Sequence, residues 1–384
     1  MDFEFTDDQL ALRDAARTVL AGACPPSVPR AILDGGDAAD ADEAAGVRGR
    51  LWSTLRDLDW PAVGIAEAAG GVGLGAVEVA VLAEELARAA APTPLLATAT
   101  QYVPIVRLAG AHDRLRPVAA GEVTGTLALA EGGRWDLDSI AATARPDGDA
   151  WVISGSKDAV FDGATADRLA VVARGEAGLG VFDVARGAVL ATAINTIDPT
   201  QPLASIELRE VRVGAEAVLI APGAPDAEAV IARAVDEATA LWCVSSVATC
   251  RTIFEMTVQY AKDREQFGRP IGSFQAIKHR LADAFLAVER ASALAYFATL
   301  TVAEDDPRRT LAVSMAKSAA GDCQRLLTRD GLQLHGGVGY TWEHDLHLWL
   351  KRAAMSELVF GTSAWHRARL ARAMGVVEGE GGGR

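Results

Sequence analysis

The residues best suited to chemistry lie in YAKDREQFGRPIGSFQAIKHRLAD, positions 260–283. Arg264, Arg269, Lys278 and Arg280 surround a Gly-Arg-Pro-Ile-Gly turn, with Phe267 beside it. Guanidinium pairs with phosphate through two parallel hydrogen bonds, so a basic turn carrying an aromatic suits a pyrophosphate-bearing cofactor. On spacing alone, a solvated helix–turn–helix is the better reading. A second segment, DGLQLHGGVGY (330–340), ends a helical pattern on consecutive glycines. Their missing side chains permit close backbone approach to a ligand, and a helix C-cap explains them equally well.

Other motifs are weaker. GGVGLG (70–75) lacks both the GxGxxG spacing and a preceding strand, and reads as a turn before a helix. No GxSxG, HExxH or GxxxxGK[ST] occurs. His344 and His347 have a helical metal-ligand spacing but no carboxylate-rich partner segment, so no metal site is expected. Cys24, Cys243, Cys250 and Cys323 form no CxxC pair or disulfide framework, which fits a reducing, cytoplasmic setting.

The elements that must position these residues follow from texture. With 384 residues, the chain exceeds what one core usually holds. Thr6 is a good N-cap for a helix over 6–21, and a second strong helix is expected over 76–90. The acidic, Gly-containing run 34–47 reads as a mobile loop. From near 123, short β-rich runs appear (TGTLALA, AWVISGS, RLAVVAR, GLGVFDV, ASIELREV), separated by turn residues. From 226 to about 303 the pattern is helical. Asp305-Asp306-Pro307 breaks it, a long helix runs on to about Gln333, and a final helical stretch covers 343–374. The tail EGEGGGR is expected to be disordered. Helices and strands are segregated, so the fold class is α+β rather than a doubly wound sheet. The expected domains are a helical 1–122, a β-domain 123–224 and a helical bundle 225–384. A net charge of −14 opposes nonspecific nucleic-acid binding. No apolar run approaches the roughly 20 residues of a membrane-spanning helix, and the acidic start MDFEFTDDQL is not a signal peptide.

Together, the 260–283 and 330–340 segments resemble the two signature regions of acyl-CoA dehydrogenases, and GGVGLGAVEVAVLAEELAR (70–88) resembles that family's N-terminal domain. The resemblance covers nearly the whole chain. It implies an N-terminal helical domain, a middle β-domain, a C-terminal four-helix bundle and FAD held between subunits. It also implies an acyl-CoA substrate, a dimeric or tetrameric assembly and an electron-transfer flavoprotein as acceptor. By residue, Arg264 and Phe267 match the R-x-x-F-G motif, Phe274 and Gln275 the cofactor-contacting pair that follows, and Gln333 and Gly337 the ends of Q-x-x-x-G. These are the contributions one subunit makes to its neighbour's cofactor.

The contributions a chain makes to its own active site match poorly. Aligned without gaps from Gly337, the family's Y-E-G-T-S falls on Val359-Phe360-Gly361-Thr362-Ser363, so Phe360 replaces the glutamate that removes the α-proton. The alternative base position is Ala238, flanked by Glu237 and Asp236, and an arginine near the CoA-linked end becomes Thr239. G-S-K-x-W-I-T falls on 155–161, where Ala159 replaces the flavin-packing tryptophan and Phe161 a threonine. T-E-P-G falls on 130–133, with Ala130 replacing a threonine. This pattern resembles the base-less subunit of the heteromeric acyl-CoA dehydrogenases found among bacterial sterol side-chain degraders. It implies an FAD-dependent complex completed by a homologous subunit that supplies the base. An active homotetramer using Glu237 or Asp236, and a non-enzymatic acyl-CoA-binding scaffold, are the alternatives.

Overall fold

The computed structural model describes residues 4–35 and 41–376, with the backbone alone for 41–43. Twelve α-helices and ten strands occur among the described residues. The first helices are α1 (Asp7–Ala23), α2 (Ser27–Asp34), α3 (Ala41–Arg56) and α4 (Ala76–Arg88), then the short α5 (Leu95–Ala97), α6 (Val103–Leu108) and α7 (Arg116–Ala119). A π-helical turn, Thr98–Tyr102, joins α5 to α6. Thr6 caps α1 as its sequence implies: its Oγ1 accepts from Gln9 N at 3.2 Å, while Gln9 Oε1 accepts from Thr6 N at 3.0 Å.

The loop expected over 34–47 is corrected in part. Residues 41–47 form the first turns of α3, because Ala and Glu favour helix and Val47, Leu51 and Leu55 bury one stripe at helical spacing. Residues 36–40 of that expected loop, and the tail EGEGGGR, lie outside the described residues.

The middle of the chain forms β1 (Gly125–Ala128), β2 (Thr143–Asp147), β3 (Ala150–Phe161), β4 (Arg168–Gly175), β5 (Gly178–Ala185), β6 (Leu190–Ile194), β7 (Leu203–Gly214) and β8 (Val218–Ile220). Their order is β6-β7-β3-β2-β4-β5-β8, with β1 also paired to β4. Only the β1–β4 and β2–β4 pairings are parallel. The rest follows as α8 (Ala227–Asp263), a small hairpin of β9 (Glu265–Gln266) and β10 (Arg269–Pro270), α9 (Gln275–Ala303), α10 (Arg309–His335), α11 (Leu346–Ser356) and α12 (Ser363–Ala373). The order helices, mixed sheet, long helices is the expected α+β arrangement.

The helix expected over 343–374 is broken at 357–362. Phe360 and Gly361 take φ of 56° and 92°, and Thr362 caps the new helix by accepting from Trp365 N at 3.2 Å.

Packing does not follow chain order. One compact unit gathers the N-terminal stretch up to Ala21, Ala80–Ala90 and the chain from Thr239 onward. The other gathers Gly22–Val79 and Ala91–Ala238. In the latter, Leu127, Val172 and Val181 of the sheet, and Leu129 just beyond β1, pack with Tyr102, Val103, Ile105 and Ile231. A second cluster is built from strand residues such as Ile153, Val171, Phe182 and Ile206. In the former, α9 packs on α10, and Ala284, Val288, Ala291, Ala295 and Ala298 of α9 are buried. Contrary to the expectation that no segment is apolar enough, α9 is long and apolar enough by length and composition to cross a bilayer. Phe285 and Leu286 are exposed on it. One such helix is weak support for a span, since helices of soluble bundles pass the same test.

Candidate functional site

The residues matched to cofactor binding collect at the adjoining ends of α8, α9 and α10. The β9–β10 hairpin holds Phe267 at φ 55° and 90% exposed. Phe267 meets Phe274 edge to face at 6.1 Å, and the Arg269 guanidinium lies 4.2 Å from the centre of the Phe274 ring. Arg264 is exposed and makes no ion pair among the described residues. Gln275 opens α9 and is exposed.

The second segment is brought to the first by stacking. Tyr260, one turn before Arg264, lies on the His335 ring at 4.6 Å and 23°. Close packing of α8 on α10 requires Gly331, where a Cβ would come within 2.7 Å of Ile253. Burial keeps His335 less basic than a free imidazole. Gln333 and Gly337, on either side of His335, are exposed, and a Cβ at Gly337 would meet nothing within 4 Å. An unpaired guanidinium, an exposed aromatic and an open glycine backbone suit a dinucleotide's phosphates and rings.

Position 360 is different. Phe360 is buried at 2% exposure, its ring edge to face with Trp242 at 6.2 Å. Its backbone is held from below, where His366 Nε2 donates to the Phe360 carbonyl at 2.9 Å. The His366 Nδ1 faces Ser314 Oγ at 3.2 Å, and burial pushes the imidazole pKa down to about 3. Lys317 Nζ donates to the Glu357 carbonyl at 2.8 Å, and Trp242 Nε1 to the Ser356 carbonyl at 3.1 Å. Burial lowers the Lys317 ammonium to about 8 and raises the Cys243 thiol to about 12. The segment is rigidly presented, but the side chain it presents has no proton acceptor. Neither Lys317 nor His366 was given a role from the sequence. The available signal was a lysine within the small-residue run SMAKSAAGD, at a position a helix would bury.

The neighbouring candidates sit on α8. Ala238 is fully buried. Glu237, at 6% exposure, has both carboxylate oxygens on Arg107 Nη2, at 2.7 and 2.6 Å. Proton uptake there must break that ion pair. Asp236 and Thr239 are also buried.

In the sheet unit, the segments carrying Ala130, Ala159 and Phe161 are strapped together. Buried Lys157 donates to Glu131 at 2.5 Å, and Glu131 also accepts from Ala141 N at 2.7 Å. Burial outweighs the Glu131 contact and lowers Lys157 to about 8. Asp158 N donates to the Ala130 carbonyl at 2.8 Å, and Asp158 Oδ2 accepts from Gly132 N at 2.6 Å. These bonds hold the 130–133 and 155–161 segments together, with Ala130 and Phe161 where the resemblance implies threonine and Ala159 where it implies tryptophan. Among the described residues no His/Cys/Asp/Glu cluster could hold a metal.

Residues 6–114 match the family model for the acyl-CoA dehydrogenase N-terminal domain, and residues 229–375 that for the acyl-CoA dehydrogenase C-terminal domain. Acyl-CoA dehydrogenase IpdE2 of Mycobacterium tuberculosis is 30% identical over 349 residues, covering 90% of this chain and 91% of that protein. Among solved structures, the ChsE4-ChsE5 complex from Mycobacterium tuberculosis superposes with a TM-score of 0.87 at 25% identity, covering 99% of this chain and 100% of that one. A variant of the Tcur3481-Tcur3483 steroid ACAD gives 0.83 at 27% identity, covering 96% and 98%. With both terminal regions matched and a relative similar along nearly its whole length, this chain belongs to the acyl-CoA dehydrogenase family.

Proposed function

We propose that the chain is a subunit of an FAD-dependent acyl-CoA dehydrogenase in which it completes the FAD site of a homologous partner, and that the partner carries the catalytic base. The observation that carries this reading is Phe360, a buried ring at the position where the family places its carboxylate. The assembled enzyme would desaturate an acyl-CoA thioester between its α and β carbons. The partner's carboxylate takes the α-proton, and FAD, when bound, supplies the acceptor for the hydride leaving the β-carbon. Arg264 would pair with the pyrophosphate, Phe267 and Phe274 would cover the adjoining rings, and Gln333 and Gly337 would line the approach. Support for a two-subunit enzyme acting on steroid-derived acyl groups comes from the similarity to the ChsE4-ChsE5 complex and to a steroid ACAD. The ion pair of Glu237 with Arg107 favours this reading over a homomer using Glu237 as base. An electron-transfer flavoprotein is the proposed acceptor.

The visible spectrum tests the assignment. The chain purified alone should be colourless, and it should become yellow and active when co-expressed with a base-carrying homologue. A yellow, active homomer would support the homotetramer instead.

Arg264→Ala tests the pyrophosphate grip. In the complex it should weaken FAD binding by about 2–5 kcal/mol, chiefly by leaving the cofactor's phosphate charge unpaired. Normal flavin occupancy in that variant would remove Arg264 from the site.

A further inference from the structure

Residues of α1, α4, α8 and α9, with Phe5 just before α1, line an open cleft of about 470 Å³. None of them is among the positions matched to the cofactor, the thioester or the base. All lie in the unit that gathers the N-terminal stretch, Ala80–Ala90 and the chain from Thr239 onward. The size is that of a small-molecule site. Successive polar ties hold the helices around it. Arg17 donates to Glu85 at 2.7 and 3.0 Å, Arg88 to Glu255 at 2.7 and 3.3 Å, Arg251 to Glu289 at 2.8 Å, and Tyr296 OH to Glu84 at 2.5 Å. Phe5 meets the Tyr296 ring edge to face at 5.0 Å, which gives the cleft an apolar wall. A narrower recess, lined by Arg251, Ser292 and Tyr296, reaches Val244 and Val247.

These ties do not exhaust the donors. A guanidinium carries more N–H groups than one carboxylate takes. Arg251 spends only Nη1 on Glu289, and its Nε and Nη2 have no partner among the described residues. The Ser292 hydroxyl has none there either. The lining carboxylates Glu84, Glu255 and Glu289 each already accept from a neighbour. What the cleft lacks is an acceptor. Nε and Nη2 of one guanidinium form the side-on fork that pairs with both oxygens of a carboxylate, and such charge-assisted bonds are stronger than neutral ones.

We propose that this cleft binds a small organic carboxylate, with its oxygens on Arg251 and Ser292 and its apolar body against Phe5 and Tyr296. The site needs neither flavin nor thioester, so it is independent of the subunit reading given above.

Calorimetric titration of the full chain with benzoate and with benzamide, in the same buffer and sodium chloride, tests it. The two probes share a ring and a carbonyl and differ in charge. Benzoate should saturate one site per chain and bind about tenfold more tightly than benzamide, the difference between a charge-assisted hydrogen bond and a neutral one. Arg251→Met keeps an unbranched stem in the cleft and removes the fork, and should weaken benzoate binding at least about tenfold. Ser292→Ala removes only a hydroxyl without a partner, so the fold is retained, and should weaken benzoate about threefold. That variant decides the matter if Arg251→Met does not fold. Equal affinity for the two probes, no saturable binding of benzoate, or unchanged benzoate affinity in either variant would overturn the assignment and leave the cleft as a solvated ring of ion pairs.

Discussion

Phe360→Glu is expected to leave the isolated chain inactive toward acyl-CoA substrates, at least a hundredfold below the co-expressed complex. General-base catalysis contributes typically about 10²–10⁴-fold, but only with the flavin and thioester correctly placed. A glutamate at 360 would enter a buried position beside Trp242, where a carboxylate is costly unless paired. Ala159, Phe161 and Thr239 would still leave the flavin and CoA contacts incomplete. An isolated Phe360→Glu chain approaching the turnover of the complex would show that position 360 was the sole defect. The companion change is Glu237→Gln in this chain within the complex, which should alter turnover per bound flavin by less than about threefold, far short of the loss of a general base. Stability should fall somewhat, because Arg107 loses its carboxylate partner. A hundredfold loss of turnover would place the base on Glu237 and end the base-less reading.

His366→Gln should make the chain less sensitive to acid. The folded imidazole has its pKa near 3, against 6.5 for a free one, because burial disfavours the cation. Below 6.5 the unfolded chain takes up a proton that the folded chain refuses. The stability contributed by the neutral ring is therefore complete above 6.5, and is lost as pH falls from there toward 3. At about 1.4 kcal/mol per unit, that loss is on the order of 5 kcal/mol, a large part of a typical stability margin. Glutamine keeps an N–H for the Phe360 carbonyl and an oxygen for Ser314, but does not titrate in this range. The variant should start somewhat less stable at pH 7, through imperfect packing, and close that gap or overtake wild type by pH 4. Thermal midpoints of the two proteins measured across this range would decide it. Parallel curves would mean that His366 is not the titrating group.

How much of this was legible beforehand depends on the range of the interactions. Thr6 and Gln9 announce a helix start because both partners of the capping box lie within one turn. The alternating runs that became β3, β4, β5 and β7 carry their period in the residues themselves. The residues proposed for cofactor binding, Arg264, Phe267, Phe274, Gln275, Gln333 and Gly337, could be matched to family motifs because they occupy two short continuous segments. Phe360 aligns with the expected base position in the same way.

Other features depended on contacts across long stretches of chain. Acidic composition suggested a loop before Val47, yet burial of Leu51 and Leu55 stabilises α3 over residues 41–47. A helix expected across 357–362 is interrupted, because Lys317 and His366 offer its carbonyls alternative partners. Glu237 stood open as a base in the sequence, since nothing local reveals that Arg107 will occupy both its oxygens. Sequence determined the order of elements, encoded by local pattern, and it carries the motif residues proposed to face a partner's cofactor. Tertiary structure decided which carboxylates are already paired and which buried groups lose their charge, because pairing and desolvation arise only when distant segments pack together.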